Sequence, residues 1–180
     1  MLLITIPKSE LWDEKKGEFI YTKEQTLQLE HSLVSISKWE SKWCVPFHDR
    51  KEKTIEQVID YIKCMTITQN VDPNVYKALT RENIDEINNY ITAPMTATTF
   101  SGEQQGRPSR EIITSELIYY WMIALEIPPE YQKWHLNKLL TLIRVCNIKN
   151  QPSKKMSKKD VMSRNARLNA ARRKSMGTKG

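Results

Sequence analysis

The chain has 180 residues, 39% of them hydrophobic, and a net charge of +7, which fits one domain, or one domain with a tail. The longest apolar run, residues 117–125, is well short of the ~20 residues a helix needs to cross a bilayer, so no membrane partner is expected. Five glycines exclude Gly-rich cofactor loops, and three cysteines at wide spacing exclude a disulfide framework.

In chain order, Leu2-Leu3-Ile4-Thr5-Ile6 is a short apolar run stopped by Pro7. It is too short for a secretion signal and lacks a basic lead, so an intracellular site is expected. Leu11-Trp12-Asp13 and Glu18-Phe19-Ile20-Tyr21 read as a hairpin with Gly17 in its turn. Leu27, Leu29, His31 and Leu33 alternate onto one face. Residues 1–33 therefore predict a small antiparallel sheet of three or four strands.

Near Ser32 the apolar period becomes helical, with Leu33, Ile36, Trp39, Glu40 and Trp43 in a segment that Pro46 is expected to end. Thr54-Ile55-Glu56-Gln57 has the form of a capping box, followed by an apolar stripe of Ile55, Val58, Ile59 and Ile62. Asp72-Pro73 starts a short helix to about Leu79, and Thr80 caps another carrying Ile84, Ile87 and Ile91. Residues 93–107 read as a polar loop with a brief strand at 97–100. Its Gly102/Gly106 pair has the spacing of membrane helix dimers, which carries no meaning outside lipid.

Pro108-Ser109-Arg110-Glu111 opens a predicted helix over 110–126 whose second half is apolar all round, the mark of a helix buried on every side, by its own domain or by partner subunits. Pro128-Pro129 breaks it and starts a second helix to about Cys146, the two forming an αα-hairpin. The second helix carries Tyr131, His135, Leu139, Leu142 and Cys146, with a second row of Leu136, Leu140 and Ile143. After a linker, Ser157-Lys158-Lys159-Asp160 is a further capping box and residues 161–176 are helix-prone, with Gly177 beyond the end. The fold class is thus α+β: one domain over 1–150, β-rich to 33 and helical from 34, then a basic linker and projecting helix over 151–180.

Charge is segregated along this chain. Residues 151–180 hold ten Lys or Arg and one acid, Asp160, whereas residues 1–150 hold 18 Lys or Arg and 20 acids. Lys154, Lys155, Lys158, Lys159, Arg164, Arg167, Arg172, Arg173 and Lys174 would neutralise phosphates without reading sequence, or meet an acidic protein surface, or simply solvate a terminus.

Catalytic and metal chemistry find little support. Cys44 and His48 form a C-x3-H pair without a second pair, so the three thiols read as small buried apolar groups. No nucleophile elbow, phosphate loop or dinucleotide motif is present. Neighbouring acids such as Asp85-Glu86 read as a solvated face. Trp39 and Trp43, spaced i, i+4 among Lys38 and Lys42, read as packing rings over the sheet with solvated lysines rather than as base-stacking platforms. Tyr119, Tyr120 and Trp121 point three ways around one helix, which sets core packing against a partner or homo-oligomer interface. No catalytic residue, cofactor or metal site is assigned.

Five stretches carry a resemblance: Leu29-Glu30-His31-Ser32-Leu33-Val34-Ser35-Ile36-Ser37-Lys38-Trp39-Glu40-Ser41-Lys42-Trp43, Met65-Thr66-Ile67-Thr68-Gln69-Asn70-Val71-Asp72-Pro73, Glu111-Ile112-Ile113-Thr114-Ser115-Glu116-Leu117-Ile118-Tyr119-Tyr120-Trp121-Met122, Trp134-His135-Leu136-Asn137-Lys138-Leu139-Leu140 and Asn165-Ala166-Arg167-Leu168-Asn169-Ala170-Ala171-Arg172-Arg173-Lys174. Together the chain resembles the tail assembly chaperones of long-tailed bacteriophages, over nearly its full length. The family has no catalytic or ligand signature to carry over. The resemblance implies a non-enzymatic protein of the bacterial host cytoplasm that binds the tape measure protein and helps recruit tail tube subunits. It also implies a longer frameshifted product sharing most of this chain. A structural virion component at the head–tail junction, or a nucleic-acid-binding protein using the basic tail, are the alternatives.

Overall fold

The fold was analysed in a computed structural model, which describes residues 1–13, 17–49, 51–100, 112–150 and 158–177. It is α+β: among the described residues, four short strands at the N-terminus are followed mostly by helices. Contacts divide the chain into two units, Met1–Asn147 and Ile148–Gly180.

The strands are β1 (Leu2–Ile6), β2 (Ser9–Asp13), β3 (Glu18–Thr22) and β4 (Gln25–Leu29). They make two antiparallel two-stranded sheets, β1–β4 and β2–β3, where a single sheet is predicted. The register explains this. Ile6 faces Gln25 and Ser9 faces Thr22, so both ladders belong to one long ribbon with an unbroken offset, interrupted at Pro7 and Lys8 opposite Lys23 and Glu24. Proline has no amide to donate, so the ladder lapses there. The Ser9 amide and carbonyl each bond the Thr22 hydroxyl across the restart, at 3.2 Å. Gly17 lies in the turn at φ +66°, a backbone region that favours glycine.

Alternation puts Ile4, Ile6, Leu27 and Leu29 in the core, each at most 1% exposed. The free edge of β4 is covered by the chain after the second helix. The Ile67 amide donates to the Gln28 carbonyl at 2.8 Å, and the Glu30 amide donates to the Met65 carbonyl at 2.9 Å.

Helix α1 (Leu33–Trp43) starts at Ser32, whose hydroxyl accepts from the Ser35 amide while Ser35 bonds back to the Ser32 amide. It ends before the predicted stop at Pro46, because Cys44 takes a left-handed conformation at φ 52° and its amide closes onto the Glu40 carbonyl. Helix α2 (Ile55–Met65) has the Thr54/Gln57 capping box that the sequence predicts. A 3-10 turn over Pro73–Ala78 follows Asp72, and α3 (Arg81–Thr92) follows Thr80 with Asn83 completing its box. No strand forms at residues 97–100. The Gly102/Gly106 pair lies outside the described residues.

Helix α4 (Ser115–Ala124) begins later than the predicted Arg110. Thr114 provides the cap by accepting from the Leu117 amide, and Ile112 and Ile113 remain outside the helix. The predicted single helix from Pro129 divides into a 3-10 turn, Pro129–Lys133, and α5 (Leu136–Asn150). Long-range bonds cause the division. The Leu136 amide donates to the His31 carbonyl at 2.7 Å, and His135 pairs with Ser32 as a β-bridge. Trp134 is left extended between them.

In the second unit, α6 (Lys158–Met176) carries no buried residue and is followed by Gly177 at φ +64°. Among the described residues, no helix is long and apolar enough to cross a membrane.

Candidate partner-binding surface

Helix α1 packs against both α2 and α4, so its residues hold both in place. Trp39 is 1% exposed, and its indole N–H donates to the Gln57 carbonyl of α2 at 2.9 Å. The Trp43 N–H donates to Asp60 Oδ2 at 3.0 Å, and Lys42 pairs with Asp60 Oδ1. The two rings are packing groups, as the sequence suggests, with their N–H groups turned toward α2; Lys38 and Lys42 are exposed, Lys42 also pairing with Asp60. The Asp60 carboxylate holds the Lys42 ammonium above its usual range.

On the α4 side the tie is Glu40. Its buried carboxylate accepts the Phe47 amide at 2.7 Å and the Ser115 amide at 2.8 Å. Ser115 opens α4, so the carboxylate sits at a helix N-terminus, where negative charge is stabilised.

Behind these helices lies a buried polar cluster. His31 Nδ1 meets the Tyr61 hydroxyl at 2.5 Å, and the His31 and His135 rings are edge to face at 5.1 Å. His135 Nε2 donates to the Tyr90 carbonyl, Nδ1 accepts from the Asn137 amide, and the Tyr90 hydroxyl donates to Glu30 at 2.7 Å. Burial pushes His31 down to about 3, reinforced by His135 and His48. Burial also lowers His135 and His48 and raises the Tyr61 and Tyr90 hydroxyls. Among the described residues no buried side-chain polar atom lacks a partner, so this cluster spends its hydrogen bonds on the fold.

The uncovered surface is apolar. The sequence predicts that α4 is buried on every side by its own domain or by partner subunits, and its own domain covers one side. Ser115, Ile118 and Met122 face the core, while Tyr120 is 63% and Ile123 77% exposed. Of the three predicted rings only Tyr120 is exposed. Tyr119 and Trp121 are half-buried against the core, and the Tyr119 hydroxyl donates to Gln132.

The α2 stripe is likewise only partly covered. Ile62 is 2% exposed but Ile55 is 82% exposed, and Val58 and Ile59 are half-buried. With Tyr76, Leu79 and Ile84 they line an open groove of about 320 Å³, and Lys53 and Lys77 also line it. The sequence shows Ile55, Val58, Ile59 and Ile62 as one apolar stripe without saying what covers it. The one available signal was Ile55 at the first position of α2, where few neighbours reach.

Of the basic residues, Lys158, Lys159, Arg164, Arg167, Arg172, Arg173 and Lys174 are all exposed on α6. Lys154 and Lys155 lie outside the described residues. Cys44 is exposed rather than buried, because it sits at the end of α1, while Cys64 and Cys146 are half-buried. Among the described residues no group of three or more His, Cys, Asp or Glu could hold a metal ion. Asp85 and Glu86 are exposed on α3. Comparison with protein-family models, curated proteins and solved structures finds no match to this chain.

Proposed function

We propose that this protein is a non-enzymatic assembly chaperone that holds apolar helical segments of a partner. The partner is the tape measure protein of a long-tailed phage, bound in the host cytoplasm before tail tube subunits are recruited. The observation that supports this reading is the set of large apolar side chains left uncovered on helices. Ile55, Tyr120 and Ile123 are 82%, 63% and 77% exposed on elements whose opposite faces are locked into the core. A groove flanked by two helices suits an amphipathic helix, which docks through anchors at i, i+3 and i+4. The preformed helices keep the ordering cost of binding low.

Co-expression tests it. The full chain should raise the soluble fraction of the tape measure protein and co-purify with it. A folded Ile55→Asp/Ile123→Asp variant should do neither. Equal solubility of the tape measure protein with and without the chain would overturn the reading.

A further inference from the structure

We propose that α6 is a duplex-DNA-binding helix that seats in a major groove. The helix spans 19 residues, about 28 Å at 1.5 Å per residue, and none of its residues is buried. Its large apolar side chains, Val161, Met162, Leu168 and Met176, are 40%, 73%, 47% and 77% exposed.

At 3.6 residues per turn these four fall within an arc of about 120°, but Lys158, Arg172, Asn165 and Asn169 share that arc. The cations Lys158, Lys159, Arg167, Arg172, Arg173 and Lys174 spread around most of the circumference, with Arg164 in the remaining sector.

This distribution selects among polyanions. A lipid surface needs an apolar face free of charge opposite the charged one, and in α6 Lys158 and Arg172 interrupt the apolar arc. An acidic protein surface meets a helix from one side and uses a one-sided stripe of charge. A nucleic-acid groove has phosphates on both walls and meets a helix from two sides at once. The B-DNA major groove, ~12 Å wide, admits a helix ~10–12 Å across, whereas the A-form RNA groove is too narrow for side chains to read. This property belongs to α6 alone and is separate from the assembly role of the helices in the first unit.

Fluorescence anisotropy of the full chain with a labelled 20-base-pair DNA duplex tests it. Binding at 50 mM salt should be saturable and should weaken on the order of 10³-fold by 200 mM, as expected when about six cations displace counterions. An Arg167→Gln/Arg172→Gln/Arg173→Gln variant should bind at least about tenfold more weakly. Its far-ultraviolet circular dichroism should stay unchanged, so that weaker binding is not misfolding. Duplex RNA of equal length should bind more weakly than DNA. No binding at 50 mM salt, parental affinity in the triple variant, or duplex RNA binding as tightly as DNA overturns the proposal. So does polyglutamate of matched charge competing as well as DNA, which assigns the helix to an acidic protein surface.

Discussion

The Ser115 amide donates to Glu40 Oε2 at 2.8 Å, joining α4 to α1 across 75 residues of sequence. The other Glu40 oxygen takes the Phe47 amide, so one side chain fixes both the α4 N-terminus and the loop after α1. Glu40→Ala leaves two amides without their acceptor. Each such loss costs about 1–3 kcal/mol when buried, so destabilisation of about 2–5 kcal/mol is expected in urea unfolding. Glu40→Gln keeps one acceptor oxygen and should lose roughly half as much.

Acid should unfold the protein through its histidines. His31 is 2% exposed and held at about 3, against about 6.5 in the unfolded chain. The folded state favours the neutral ring, so this stability is fully present above pH ~6.5 and falls as pH drops toward 3. The slope reaches at most about 1.4 kcal/mol per pH unit from this group. Urea midpoints measured from pH 7 to pH 4 should fall, and His31→Gln should flatten the curve. His135 and His48 are shifted the same way and should contribute smaller slopes over the same range.

Histidine is proposed here as a packing group. If the proposed assembly role holds, replacing His31, His48 or His135 singly with Gln should leave tail assembly in the host intact, provided the variant folds. A well-folded variant that fails to assemble tails would place chemistry at the replaced histidine.

The exposed and half-buried rings of α4 should separate in their effects. Tyr120→Ala removes an exposed ring and should change stability by less than about 0.5 kcal/mol, while weakening partner binding. Trp121→Ala removes a ring packed against the core and should cost about 2 kcal/mol, below the ~3–5 of a fully buried one. Thermal unfolding paired with co-purification distinguishes the two.

In the groove, Ile55→Asp should be tolerated and Ile62→Asp should not. Ile55 is 82% exposed, so the new carboxylate stays in water, whereas Ile62 is 2% exposed and its carboxylate would be buried without a partner. Soluble yield and circular dichroism of the two variants check this.

Much of the local structure was readable from residue order alone. Thr54 with Gln57, Asp72 before Pro73 and Thr80 before α3 are caps that work over three or four residues, and each starts its element as read. The alternation of Leu27, Leu29, His31 and Leu33 onto one face was likewise legible, and all four are buried. Tertiary structure decided what remote groups control. The split at His135 follows from bonds to His31 and Ser32, about a hundred residues earlier, which no local pattern reveals. The same holds for the apolar surfaces. Periodicity shows that Ile55, Ile59 and Ile123 are apolar, but whether a neighbour covers them depends on how the helices around α1 pack. Burial is set by three-dimensional neighbours, so only the tertiary structure shows the apolar stripe of α2 as the wall of a half-open groove.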